Sequence, residues 1–191
     1  SLDYLREHYG ENFPIIGLVP ALKPAVLQTT TKTVAVLATP ATFRGNLIKD
    51  VVERFAIPAN VTVLPITCLD LVPFVEAGEQ MSEACLTTLQ KILQPAVDQQ
   101  ADYLVLGCTH YPFLKPAIQY IFAEKLKLID SGQAVARQTS RILIKNELLF
   151  EQGLHSDLRI SCYVSGNNAD TLMPVLQHLI PSDLTWEIKN I

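Results

Sequence analysis

The stretch DYLVLGCTHYP, residues 102–112, sets the reading of this chain. It opens with a short apolar run bounded by Asp102 and Gly107, the pattern of a strand covered on both faces. Gly-Cys-Thr-His follows at once, and Pro112 marks where a helix is expected to start, because proline suits a first helical turn. A strand, a polar turn and a helix in that order form the repeating unit of a parallel sheet.

The same unit recurs on both sides. Apolar runs rich in β-branched residues predict strands at 15–19 (IIGLV), 33–39 (TVAVLAT), 61–67 (VTVLPIT), 102–109, 125–130 (KLKLID), 159–165 (RISCYVS) and 184–188 (LTWEI). Helical patterns lie between them at 41–56, 81–99, 133–151 and 168–179. In 81–99, Cys85, Leu86, Leu89, Ile92, Leu93, Ala96 and Val97 recur at three- and four-residue steps and form one apolar stripe. The opening SLDYLREHYG reads as polar helix. Alternating strand and helix with right-handed crossovers is the doubly wound α/β class. No internal repeat, low-complexity stretch or Gly/Ser linker separates domains.

Composition narrows the function. Of 191 residues, 49% are hydrophobic and 18% charged, enough apolar material for a substantial core. A net charge of −4 without a Lys/Arg cluster argues against a nucleic-acid surface. No apolar run approaches the roughly 20 residues that span a membrane, and no secretory pattern opens the chain. Cys68, Cys85, Cys108 and Cys162 stand far apart, unlike the close pairs of zinc ribbons and disulfide scaffolds. The expected setting is therefore a reducing, cytoplasmic one, with no metal bound.

Open parallel sheets bind ligands beyond the carboxyl ends of their strands, so the residues just after each strand are the ones to inspect. After 102–106, Gly107 permits close backbone approach. Cys108 faces the positive end of the coming helix, a position that favours thiolate. Thr109 offers a hydroxyl, and His110 an imidazole that exchanges protons near neutral pH. Each has a plainer reading: Cys108 as a small buried hydrophobe, His110 as a surface or satisfied histidine. The compact string at a ligand-facing position favours chemistry. After 33–39, Thr39 and Thr42 place two hydroxyls beside the N–H groups of a helix start, a fit for a carboxylate. Thr39 also suits the simpler role of capping the helix begun by Pro40, and the two roles can coexist. Glu76 is an accessory candidate that also reads as a solvated helix acid.

At these residues a resemblance enters. LVLGCTHYPFL is similar to the segment bearing the second catalytic cysteine of glutamate racemases, in the aspartate/glutamate racemase superfamily. IIGLVPALKPAV (15–26) resembles the stretch entering that family's second lobe, and VAVLATPATFRGN (34–46) its T-x-x-T segment. TCLDLVPFVEAGE (67–79) resembles its C-P-L-F-V-P-L-V-E stretch, with Cys68 at a non-catalytic cysteine and Glu76 at an acid near the site. Leu69 and Asp70 depart from the usual Pro and Leu there. LIDSGQAVA (128–136) and YVSGNNADTL (163–172) match the closing strands, with Asn167 in place of the usual acid. Asp130-Ser131-Gly132 mimics a substrate motif that the family carries near its amino terminus.

The resemblance implies cofactor-independent interconversion of L- and D-glutamate by two cysteines, supplying D-glutamate for peptidoglycan. No lysine motif suggests pyridoxal chemistry. Cys108 would be one catalytic cysteine, with His110 assisting it and Thr109, Thr39 and Thr42 binding substrate. The family's D-S-G and A-C-N-T segments, the latter with the first catalytic cysteine, are not among these residues. The chain, which starts at Ser1 within a helical pattern, is expected to be a fragment that is inactive alone. The implied organisation is 1–20 as the end of a first lobe, 21–131 as a second α/β lobe and 132–191 as the return that completes the first. Such remnants would expose sheet edge and leave homodimer formation open. Aspartate racemase or another superfamily isomerase, or a non-catalytic module that binds acidic amino acids, are the competing readings.

Overall fold

The computed structural model describes residues 2–10, 13–148, 159–165, 169–179 and 185–190. Its centre is four parallel strands: β1 (Thr33–Leu37), β2 (Thr62–Ile66), β3 (Tyr103–Leu106) and β4 (Lys127–Ile129), in the order β2-β1-β3-β4. The two middle strands explain their own sequences. Every residue of β3 is buried, as are Val34 to Leu37 of β1, because both faces of the sheet are covered.

Alternation along the strands divides the core in two. Ala35 and Leu37 of β1 pair in register with Leu104 and Leu106 of β3, and all four face one side. There they meet Leu71 and Val75 of α5 (Leu71–Glu76), Leu89 and Leu93 of α6 (Glu83–Asp98), and Ile118 and Phe122 of α7 (Lys115–Phe122). Val34, Val36 and Val105 face the other side, against Leu22, Ala25 and Val26 of α2 (Leu22–Gln28) and Ile48 of α4 (Asn46–Val51). Helices therefore cover both faces of a parallel sheet.

The stripe expected in 81–99 is the buried face of α6, where Cys85, Leu89, Leu93 and Ala96 are buried. Ser82 starts that helix by accepting the Cys85 N–H at 3.2 Å. The helix expected over 41–56 is not continuous. Gly45 separates α3 (Pro40–Arg44) from α4, and α4 runs into a π-helical turn at Val52–Ala56. The strand expected at 15–19 does not form: the backbone there joins no ladder among the described residues. Pro14 and Pro20 bracket the segment, and Leu18 stays 50% exposed. Two short helices, α2 and α5, were not legible from the apolar periodicity.

At the amino terminus, α1 (Leu2–Tyr9) matches the expected polar helix and buries nothing. Beyond β4 the chain continues as α8 (Gly132–Lys145), β5 (Arg159–Val164), α9 (Ala169–Leu179) and β6 (Thr185–Asn190). β5 and β6 pair in parallel as a separate two-stranded sheet. The helix expected over 133–151 stops at Lys145, where a turn with Glu147 at φ +55° ends it; positions 149–151 and 168 of the expected helices lie outside the described residues. α9 returns to the main core: Leu179 packs against its first cluster, and the His178 ring lies over Gly78 just after α5. Gly78 has φ +72°, and a Cβ there would sit 3.0 Å from the His178 Cδ2, so glycine suits the position twice over.

Candidate functional site

The chain runs outward from β1 to β2, then crosses back to β3 and on to β4, so the strand order reverses between β1 and β3. Crevices at such switch points are where open α/β sheets bind ligands. The residues leaving those two strands are Ala38–Thr39 and Gly107–Cys108. Gly107 donates its N–H to the Leu37 carbonyl at 2.8 Å. A Cβ at Gly107 would come within 2.9 Å of the Ala38 Cβ and 3.4 Å of the Pro20 ring, which accounts for glycine there. Beside it a cleft of about 220 Å³ is lined by Leu18, Pro20, Thr42, Gly45, Ile48 and Gly107, among others.

Thr39 caps α3, its hydroxyl accepting the Thr42 N–H at 3.3 Å. The Thr39 and Thr42 hydroxyls also lie 3.0 Å apart, both half-buried. The capping role is thus filled, and the second hydroxyl stands next to the first, bordering the cleft.

On the β3 side, Cys108 is half-buried and its carbonyl accepts the Tyr111 N–H at 3.3 Å. The helix expected near Pro112 begins as a 3-10 turn, Tyr111–Leu114, and continues as α7. The tight turn brings side chains that precede it into one line. The Cys108 Sγ is 4.0 Å from His110 Nδ1, and the Thr109 hydroxyl is 3.5 Å from the same nitrogen. The other ring nitrogen, Nε2, is 3.2 Å from the Glu76 Oε1 at the end of α5. With Nε2 donating to the carboxylate, Nδ1 is left as an acceptor facing the thiol. The line Glu76–His110–Cys108 can therefore draw a proton from Cys108 and return it. The His110–Glu76 contact is open to water, with side-chain exposures of 31% and 54%, so its value lies in orientation more than in stability.

Tyr111 lies behind this line, fully buried, with its hydroxyl donating to the Cys68 carbonyl at 2.8 Å. Burial, followed by the nearby Cys108 and Cys68, pushes its phenol up to about 12. The sequence motif alone does not single this residue out. The available signal was a tyrosine beside a candidate nucleophile: a buried phenol needs a hydrogen-bond partner. Cys85 is buried in the core, its thiol pushed up first by burial and then by Cys68. Cys162 lies on β5. Asp130 follows β4, where it accepts the Gly132 N–H at 2.6 Å and pairs with Lys115 at the start of α7. Burial alone would raise its pKa, but the Lys115 and Gly132 hydrogen bonds and the Lys115 charge outweigh that and lower it. The Asp-Ser-Gly triplet is thus tied into the fold, beside the strand that leads to Cys108.

Among the described residues no group of three His, Cys, Asp or Glu side chains could hold a metal ion. No helix there is long and apolar enough to cross a membrane. A larger cavity, about 780 Å³, lies away from Cys108 and is lined by residues of α1, the segment after it and α8, including Arg6, Phe13, Ile142 and Lys145. Its walls lack the thiol, imidazole and paired hydroxyls found at the strand ends.

Comparison with known proteins gives a consistent result. The chain is 49% identical over 149 residues to a glutamate racemase of Deinococcus radiodurans, an overlap of 78% of this chain and 51% of that protein. It is 38% identical over 174 residues to one of Pseudomonas putida, covering 91% of this chain and 64% of the relative. The chain thus spans about half to two thirds of the length of these relatives. Among solved structures, Escherichia coli glutamate racemase in complex with L-glutamate and the activator UDP-MurNAc-Ala matches with a TM-score of 0.76 and 30% identity. That match covers all of this chain and 69% of the other. The family model for Asp/Glu/hydantoin racemases matches residues 2–139, well over half of the sequence, and the chain belongs to that family.

Proposed function

We propose that this chain carries one half of the active site of a glutamate racemase. The observation that carries the reading is the line from Glu76 through His110 to Cys108, set at the switch point of a parallel sheet. The 49% identity to a glutamate racemase supports the choice of substrate. A Cα proton is weakly acidic, and cofactor-free inversion needs a base on one face and an acid on the other. Cys108, as thiolate, removes the proton from L-glutamate; in the reverse direction its thiol returns one. His110, held by Glu76, takes the thiol's proton to generate that thiolate. Thr39 and Thr42 bind the substrate carboxylate, and Thr109 its amino group or carboxylate.

The opposite cysteine is not supplied by the other three. Cys85 is buried in the core, Cys68 lies in the loop that Tyr111 grips, and Cys162 is on β5. In this reading the 191 residues alone do not racemise glutamate. In this reading 21–131 form a second lobe, while 1–20 and 132–191 belong to a first lobe. The product D-glutamate serves peptidoglycan synthesis in the cytoplasm, and the enzyme is open to forming a homodimer. The family model also embraces aspartate racemases, so aspartate is the substrate to set against glutamate.

The test joins this chain to the amino-terminal part of a relative and assays glutamate and aspartate in deuterated water. D-glutamate carrying solvent deuterium at Cα is expected, with none from the 191 residues alone. Cys108→Ala should abolish turnover in both directions, and His110→Ala should slow it by roughly 10²–10⁴-fold. Normal rates in a folded Cys108→Ala protein would remove Cys108 from the mechanism, and faster turnover of aspartate would move the assignment.

A further inference from the structure

His110 and Glu76 come from different parts of the chain, and nothing local fixes their spacing. Glu76 is the last residue of α5, which the chain enters from the loop at Cys68. His110 precedes the 3-10 turn that Tyr111 opens. Tyr111 spans the gap: its own N–H holds the Cys108 carbonyl at 3.3 Å, and its hydroxyl holds the Cys68 carbonyl at 2.8 Å. The ring between these two bonds is fully buried among core side chains. It is therefore a rigid strut between the segment carrying Cys108 and His110 and the segment leading to Glu76.

We propose that Tyr111 is a positioning residue of the Cys108 site, its hydroxyl setting the distance at which Glu76 meets His110. The proposal rests on the reading of Cys108 and His110 as the site. The His110–Glu76 separation of 3.2 Å is already at the long end for a hydrogen bond, so a small displacement of α5 breaks it. With its phenol raised to about 12, Tyr111 remains a donor throughout the working pH range. Lys115 and Asp130 hold the other flank of the same segment to β4, so freedom at the Tyr111 side is what the strut removes.

The test uses the 191-residue chain and needs no turnover, so it is separate from the fate of the racemase reading. The imidazole signals of His110 are followed by NMR in the parent and in Glu76→Gln, each with and without Tyr111→Phe. In the parent background Glu76→Gln should shift the His110 signals; in the Tyr111→Phe background that response should be lost. A folded Tyr111→Phe chain in which the response persists would make Tyr111 mere core packing and overturn the proposal. A purely structural role would lower the melting temperature and leave the coupling intact. Should Tyr111→Phe not fold, 4-fluorophenylalanine at 111 fills nearly the same space and removes the donor. Loss of the His110 response to Glu76→Gln then supports the proposal, and a response that persists overturns it.

Discussion

Two helices with similar sequence patterns have different fates in this molecule. Both α6 and α8 are amphipathic, and both carry an apolar stripe at three- and four-residue steps. In α6 the stripe is sealed against the sheet, with Cys85, Leu89, Leu93 and Ala96 buried. In α8 no residue is buried: Val135, Thr139, Ile142 and Leu143 are half-covered, and Ile144 is 59% exposed. Amphipathic sequence makes a helix competent to pack, but only a covered sheet face converts that competence into stability. The four-stranded sheet offers such faces to α6. The two-stranded β5–β6 sheet is a separate element, and among the described residues neither core cluster includes α8.

The contrast can be broken most directly in the core. Leu93→Ala in α6 should cost about 2–5 kcal/mol, read from denaturant unfolding, because the site cannot fully collapse. A loss near that expected for a surface change would mean that the first core cluster is not the seat of stability. Thr42→Ala offers an intermediate effect and separates binding from folding. The cap of α3 uses the Thr42 N–H, which alanine retains, so stability should hardly move. Substrate binding by the completed enzyme should weaken by about 1–3 kcal/mol if its hydroxyl holds the carboxylate. Thr39→Ala should lower both binding and stability, since it also removes the cap, worth about 1 kcal/mol.

Acid sharpens the same comparison at the far end of the main sheet. Asp102, just before β3, accepts the Thr29 hydroxyl at 2.5 Å, the Thr30 N–H at 2.7 Å and the Thr30 hydroxyl at 2.9 Å. Burial alone would raise its pKa, but these bonds lower it overall. A carboxyl with a lowered folded pKa contributes stability above its unfolded value, about 3.9, and loses it as pH falls through the folded one. The melting temperature should therefore drop as pH falls below about 4, and Asp102→Asn should flatten that part of the profile. An unchanged slope in Asp102→Asn would assign the acid sensitivity elsewhere. The smallest effect is expected in the return segment. Ile142→Ala on α8 should cost less than about 1 kcal/mol, as its side chain is only half-covered.

What the sequence reveals follows the same division. The β3 run YLVL is legible because both of its faces are covered, so its composition already contains its environment. IIGLV at 15–19 is also strongly apolar yet joins no ladder among the described residues, because a strand also needs a neighbour, which local pattern does not encode. α5 hid behind Pro73 and its short length, although proline in a first turn costs a helix no hydrogen bond. At the site, Cys108, Thr109 and His110 were legible as a string, and Thr39 with Thr42 as a helix start. The Glu76–His110 contact and the Tyr111–Cys68 bond join residues 34 and 43 positions apart, and only the fold brings such pairs together.

The most direct test of Cys108 as the chemically active thiol is a competition for limiting iodoacetamide at neutral pH in the folded chain, read by peptide mass spectrometry. Cys108 sits beside His110 at the carboxyl end of β3, and thiolate character governs alkylation. The expected result is modification of Cys108 ahead of Cys68, Cys85 and Cys162, slowed when His110 is replaced by Ala. Equal labelling of all four, or Cys162 first, would contradict the assignment of the site.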